Sequence, residues 1–152
     1  MRIASALKIE SAYPRVRSTA MDSPDRALTF SGGRYISVES YCDGGEPRRT
    51  PVDFVESGGL LYFRTDPRTQ KVKRIQGNHH VRVAPCDMTG RPTGPWLDAD
   101  AEVVEGEARS KALRVFRKEY GFLGNAMVGL VGRLRGNRMT MVVSVRLRPS
   151  PS

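Results

Sequence analysis

The chain has 152 residues, a formal net charge of +9 at pH 7 and 39% hydrophobic residues. A chain of this length can bury one good core but has little room for a second, so we expect one folded domain. No stretch approaches the ~20 apolar residues that a transmembrane helix needs, so the sequence predicts no membrane span. Two cysteines, Cys42 and Cys86, are too few for a disulfide framework, and we predict two buried thiols and a cytoplasmic location.

The positive charge is concentrated at the C-terminal end. Residues 1–20 carry a net charge of +3, residues 21–106 carry −2 and residues 107–152 carry +8. Clustered lysine and arginine favour nucleic acid as a partner. The basic stretches lack interleaved aromatic residues, and no zinc-finger, helix-turn-helix or RNA-recognition pattern is present. Nucleic-acid binding is therefore not the expected function.

The chain divides into three predicted parts. Residues 1–20 have no apolar run typical of a signal peptide and form a basic arm that need not be ordered. Residues 21–148 form the folded domain, and residues 149–152 form a short tail. Met21 is followed by the helix-start signal Asp22-Ser23-Pro24, and we hypothesise that translation begins at Met21. Finding Met1 by N-terminal sequencing of the native protein would exclude this start.

Apolar and polar residues alternate with the period of a β-strand in six segments. The predicted strands, in chain order, are 34–41, 49–56, 60–65, 80–87, 93–105 and 139–147. Turns rich in glycine separate the first three strands. Asp66 followed by Pro67 predicts the start of a short basic helix. Apolar residues at helical spacing predict further helices over 108–120 and 127–134, with their apolar stripes packed.

The stretch 49–74 is the most informative part of the sequence. It combines two strands joined by a tight turn with a helix that carries Arg68, Lys71, Lys73 and Arg74. Backbone N–H groups at a helix start favour phosphate, and Lys71 and Arg74 share one helix face and add formal charge. A solvated basic face is the alternative interpretation of the same spacing.

Other chemical constellations are weak. His79 and His80 are adjacent and would point to opposite faces of a strand, so we predict no metal site. Serine, aspartate and histidine residues are too scattered to suggest a hydrolytic triad. Trp96 is interpreted as a core or interface residue, with coverage of a cofactor ring as the alternative.

Three segments together resemble a known family. YISVESYCDGGEPRRTPVDFV, LLYFRTDPRTQKVKRI and GNHHVRVAPCDMTGRPTGPW are similar to the flavin-binding core of the split-barrel proteins that include pyridoxamine 5'-phosphate oxidases. The similarity is greatest to the branch that uses the deazaflavin coenzyme F-420, and it covers about residues 33–120. The resemblance implies a mainly β fold, a six-stranded split β-barrel with helices. It also implies a homodimer with both cofactor sites at the subunit interface.

The resemblance also implies roles for individual residues. It places Arg49 and Lys71 on the cofactor phosphate with Thr65 beside them, and it places Thr50 and Val52 along the ring. Arg74 of the basic helix is added to these residues. The predicted cofactor-binding set is therefore Arg49, Thr50, Val52, Thr65, Lys71 and Arg74. No catalytic side chain is predicted. Tyr41, Tyr62 and Asp53 are proton-donor candidates by chemical type only.

These inferences predict an F-420-dependent oxidoreductase that transfers a hydride between the deazaflavin and an unknown small organic acceptor. The phosphodiester and the carboxylates of this coenzyme suit a basic protein. Two alternatives remain open at this point. The first is an oxidoreductase that uses FMN in the same site, and the second is a non-catalytic protein that binds or carries F-420.

Overall fold

The computed structural model describes residues 29–134 and 140–149. The predicted basic arm, the proposed start at Met21 and most of the predicted tail lie outside these residues. The elements in chain order are β1 (Tyr35–Tyr41), β2 (Pro47–Ser57), β3 (Leu60–Thr65), α1 (Gln70–Gly77), β4 (His80–Cys86), β5 (Leu97–Val104), α2 (Gly106–Leu134) and β6 (Met141–Leu147).

The six strands form one closed antiparallel barrel. Their spatial order is β1-β2-β3-β6-β5-β4, and β4 closes the barrel on β1. Alternate side chains along each strand point inward, as the period-two pattern predicts. Those that fill the interior include Ile36, Val38, Leu61, Phe63, Val81, Val83, Val143 and Val145, all fully buried. The predicted mainly β, six-stranded barrel is confirmed.

Helix α1 covers one end of the barrel, packing against β1 and β5. Its buried face presents Val72 and Ile75, and Ile75 belongs to the core. The predicted helix start at Asp66 is wrong, because α1 begins at Gln70. Instead of capping the helix, the Asp66 carboxylate accepts hydrogen bonds from the backbone N–H and the guanidinium of Arg68. Those bonds hold the turn that connects β3 to α1.

Helix α2 lies on the outer surface of the barrel and has a break at Gly121, where φ is 73° and ψ is 168°. Its first half buries Ala112 and Phe116. In the second half, Met127, Leu130 and Leu134 are 59%, 53% and 79% exposed. The sequence predicts that this stripe packs. Within the single chain that the structure describes these three side chains are not packed, and their packing against a second copy stays a prediction.

The connection from β4 to β5, residues 87–96, folds back onto the barrel. Its turn is held by the Asp87 carboxylate, which accepts hydrogen bonds from the backbone of Thr89 and of Arg91. Thr93 donates its backbone N–H to the Pro85 carbonyl at 2.8 Å. The predicted strand start at Thr93 is therefore wrong, and β5 begins only at Leu97, after Pro92 and Pro95 have interrupted the pattern.

Replacing Gly94 by alanine is expected to destabilise the protein by about 1–3 kcal/mol, because the connection is already in tight contact with β4. A Cβ atom at Gly94 would lie 2.6 Å from the Pro85 Cγ atom. Denaturant unfolding measures the effect. Gly44→Ala is the matched control, since a Cβ there meets nothing within 4 Å. Equal stability of the two variants would contradict the prediction.

Candidate functional site

Two basic and two hydroxyl side chains meet where α1 covers the barrel. Lys71 Nζ donates a hydrogen bond to Thr65 Oγ1 at 3.2 Å, and Arg74 Nε donates to Ser40 Oγ at 2.7 Å. Ser40, Thr65 and Lys71 are only 0%, 2% and 8% exposed. We call these four residues the α1 cluster. Three of them, Thr65, Lys71 and Arg74, belong to the predicted cofactor-binding set.

The two cations of the α1 cluster, Lys71 and Arg74, have no ion-pair partner among the described residues. Burial, assisted by the charge of Arg74 and opposed by that of Asp53, lowers the pKa of Lys71 to about 8. A buried ammonium group is costly unless an anion or several acceptors surround it. The donor set therefore fits a phosphate group, which would supply both acceptors and compensating charge.

Arg49 belongs to a different group of side chains, on the outer face of the barrel. Its Nε donates a hydrogen bond to Glu39 Oε2 at 2.8 Å, and Arg82 Nη1 donates to Glu39 Oε1 at 3.2 Å. Tyr41 donates its hydroxyl to the same carboxylate at 3.0 Å. The ring of Trp96 lies under both guanidinium groups, 4.7 Å from Arg49 Cζ and 5.4 Å from Arg82 Cζ. We call these five residues the outer cluster.

Glu39 is the centre of the outer cluster and is only 3% exposed. Its burial by itself raises the pKa. The hydrogen bonds from Arg49 and Tyr41 and the charges of Arg49 and Arg82 outweigh this effect, so the pKa of Glu39 is lowered. The carboxylate is thus ionised at neutral pH and compensates one of the two arginine charges. One net positive charge remains within the outer cluster.

The two remaining predicted residues face the barrel interior. Val52 is 8% exposed and belongs to the core, so its side chain is not available to a ligand outside the barrel. Thr50 pairs with Val38 in the β1–β2 ladder and is half-buried. The structure thus brings Thr65, Lys71 and Arg74 together, while no described hydrogen bond or ion pair joins Arg49 to them.

Sequence reasoning missed Ser40, Glu39 and Arg82. Ser40 is 34 residues from Arg74, and Glu39 is 43 residues from Arg82. The strand register brings Glu39 to Arg82, since Glu39 lies opposite Arg49 on β2 and opposite Arg82 on β4. Packing of α1 against β1 brings Arg74 to Ser40. An available signal was that Glu39 and Ser40 are adjacent polar residues, one on each face of β1.

A separate cleft with a volume of about 830 Å³ lies beside the turn between β2 and β3. Its lining includes Phe30, Arg34, Phe54, Glu56, Glu119 and Tyr120, and none of the predicted cofactor-binding residues. We call it the turn cleft. Arg34 precedes β1 and Ser40 lies near the other end of that strand, so the turn cleft and the α1 cluster are about 20 Å apart.

The histidines are engaged in structural contacts. His79 Nδ1 lies 2.9 Å from the Ala101 carbonyl oxygen, and His80 Nε2 lies 2.9 Å from Asp98 Oδ1. Within residues 29–134 and 140–149, no three metal-ligating side chains are grouped as a metal site. No helix in this part of the chain is long and apolar enough to cross a membrane.

Comparisons with known proteins extend these observations. Neither the protein-family models nor the curated proteins provide a match. Among solved structures, the heme storage protein HutZ from Vibrio cholerae superposes with a TM-score of 0.59 at 13% identity, covering 86% of this chain and 91% of HutZ. A pyridoxamine 5'-phosphate oxidase-type protein from Listeria innocua gives a TM-score of 0.56 at 15% identity, covering 84% and 93%.

A third similar structure is an F420-H2 dependent reductase, with a TM-score of 0.52 at 19% identity, covering 74% of this chain and 93% of the reductase. These similarities concern the fold, because all three identities are low. The chain has the split-barrel fold of the pyridoxamine 5'-phosphate oxidase-like proteins. Proteins with this fold include oxidoreductases as well as a heme storage protein, so the fold alone does not define the chemistry.

Proposed function

We propose that this protein is an F-420-dependent oxidoreductase that transfers a hydride between the deazaflavin and a small organic acceptor. The observation that carries the proposal is the α1 cluster, in which the buried Lys71 and the neighbouring Arg74 have no described carboxylate partner. The fold similarity to an F420-H2 dependent reductase and the resemblance of the sequence to that branch support the same cofactor class.

In this proposal the α1 cluster holds the cofactor phosphate. Lys71 and Arg74 neutralise its charge, and the hydroxyl groups of Thr65 and Ser40 donate hydrogen bonds to its oxygens. Arg49 lies on the other face of the sheet, where its exposed guanidinium, shared with Glu39, is suited to bind a more distant carboxylate of F-420. Thr50 and the backbone of Val52 are proposed to border the ring.

The reduced deazaflavin, when bound, supplies the hydride from its ring carbon. The chain's own residues are then required to bind, orient and exclude water rather than to react. Tyr41 is occupied by its hydrogen bond to Glu39, and burial together with this bond raises the pKa of Tyr41. Solvent is therefore the proton source that we favour. We further propose a cytoplasmic homodimer in which the partner completes each cofactor site.

Titration of the purified full chain with F-420, FMN and hemin tests the proposal. Oxidised deazaflavin absorbs near ~420 nm and FMN near ~450 nm, so the bound species can be distinguished directly. We expect F-420 to bind most tightly. Preferential binding of FMN would move the cofactor assignment to the flavin alternative. Preferential binding of hemin, which is included because the fold is shared with a heme storage protein, would contradict the proposal.

Turnover distinguishes an enzyme from a carrier. We expect the protein to accelerate oxidation of reduced F-420 by at least one member of a panel of quinones, enones and other small acceptors. Tight F-420 binding with no acceleration by any acceptor would favour the non-catalytic binding or carrier protein.

A further inference from the structure

The turn cleft offers three kinds of ligand contact. Its aromatic wall consists of Phe30, Phe54 and Tyr120, with the first two rings in an edge-to-face contact at 6.1 Å. Its cation is Arg34, and its two exposed carboxylates are Glu56 and Glu119. A cavity of about 830 Å³ lies within the size range of small-molecule sites and accommodates a bicyclic aromatic ring with its substituents.

The guanidinium of Arg34 is held beside the Tyr120 ring in the turn cleft, and it has no acidic partner among the described residues. Its Cζ atom lies 4.8 Å from the centre of the Tyr120 ring. Tyr120 is itself fixed, because its hydroxyl donates a hydrogen bond to the Phe54 carbonyl at 3.2 Å and Arg64 Cζ lies 5.5 Å from its ring centre. Among the described residues, no carboxylate forms an ion pair with Arg34. The guanidinium is therefore held beside the cleft with hydrogen-bond donors available for a ligand carboxylate.

The two carboxylates restrict the charge of the ligand. Glu56 Oε2 accepts a hydrogen bond from the backbone N–H of Gly59 at 3.3 Å, which places this side chain at the β2–β3 turn. No described cation forms an ion pair with Glu56 or Glu119. Two negative charges beside one positive charge disfavour a ligand with a second anionic group and favour one with an ammonium group.

We propose that the turn cleft is a second binding site, whose ligand is a zwitterionic aromatic molecule, an aromatic amino acid by chemical class. Arg34 binds its carboxylate, Glu56 and Glu119 bind its ammonium group, and the ring packs against the aromatic wall. The site lies at the opposite end of the barrel from the α1 cluster, so the inference does not rest on the proposed cofactor.

Calorimetric titration of the full chain with naphthylalanine tests this site. We expect saturable binding with a Kd of about 1 mM or tighter. Naphthylacetate lacks the ammonium group and naphthylethylamine lacks the carboxylate, and each is expected to bind about tenfold more weakly. Gly32, Gly33 and Gly59 line the cleft. Their amide signals are expected to shift in the NMR spectrum during the titration.

Arg34→Gln is expected to weaken naphthylalanine binding by about tenfold or more, and Arg34→Lys by less, because lysine keeps the charge but loses the planar donor geometry. Arg48→Gln is the matched control, since Arg48 is an exposed arginine that pairs with Glu46 away from the cleft. Lys71→Met is also expected to leave this binding unchanged. Undiminished binding by Arg34→Gln, or equal losses in Arg48→Gln or Lys71→Met, would overturn the proposal, as would the absence of saturable binding to the unaltered protein.

Discussion

Replacing Lys71 by methionine is expected to stabilise the protein at pH 7 by about 2 kcal/mol. Burial lowers the pKa of Lys71 from 10.5 to about 8. Below pH 8 the folded chain holds a charged ammonium in a buried position, and the gap of about 2.5 between the two pKa values corresponds to about 3 kcal/mol. Loss of the hydrogen bond from Lys71 to Thr65 reduces this gain in stability by about 1 kcal/mol.

The sign of the pH dependence follows from the lowered pKa. As the pH rises from about 8 to 10.5, the folded protein releases the Lys71 proton before the unfolded chain does. The cost of the buried charge therefore disappears in this window, and the unaltered protein gains stability relative to the variant.

Denaturant unfolding of both proteins at pH 7 and at pH 10.5 measures this difference. Lys73→Met is the control, because Lys73 is an exposed lysine two residues away on the same helix. We expect the control to change the free energy of unfolding by less than about 0.5 kcal/mol. A Lys71→Met variant that is less stable than the unaltered protein by the same amount at both pH values would contradict the assigned cost.

The double variant Lys71→Met, Arg74→Gln is expected to lose cofactor affinity by about a hundredfold or more, because each cation would donate a charge-assisted hydrogen bond to the phosphate. Fluorescence titration with F-420 measures the loss. The affinity of the unaltered protein for F-420 is also expected to fall as the pH rises above about 8, because the cofactor phosphate favours the protonated form of Lys71.

Two comparisons make the affinity experiment specific. Lys73→Met removes one charge from the same helix and is expected to retain affinity within about twofold, because an exposed charge is screened by solvent. Arg49→Gln tests the outer cluster separately. It is expected to weaken binding of F-420 more than binding of FMN, because only F-420 carries the distant carboxylates. Full affinity in the double variant would exclude the α1 cluster as the phosphate site.

Lys71 is a residue whose presence lowers the stability of the free protein. A lysine that is 8% exposed and lacks a described counter-ion is unfavourable in the free protein. An anion that binds there would recover much of this cost, so ligand binding is expected to stabilise the fold more than its contact area alone implies.

Local patterns predicted the strands well. The segment Leu60–Thr65 is a strand with the predicted bounds, because its apolar residues alternate and turn residues lie on both sides. The closed order of the strands could not be derived from periodicity. Closure pairs β3 with β6 and β1 with β4, and these contacts join segments that are remote in the sequence. The resemblance to the split-barrel family supplied that part of the prediction.

The candidate site was predictable to the extent that it is local. Lys71 and Thr65 are only six residues apart, so a strand that leads directly into a helix brings them together. The partner of Arg49 depends on strand register, and that of Arg74 depends on how α1 packs against β1. Single-sequence patterns define neither. The turn cleft was not predicted, because its wall combines residues from before β1, from the β2–β3 turn and from α2.

The first half of β2 has a consequence for how this protein avoids aggregation. Of the described strands, only β1 pairs with Pro47–Asp53, and β3 joins β2 from Phe54 onward. Phe54 donates its N–H toward β1, to the Arg34 carbonyl, so the odd-numbered residues direct their backbone donors to the opposite edge. Proline at positions 47 and 51 removes two of those donors. A strand from another molecule therefore finds few hydrogen-bond donors there.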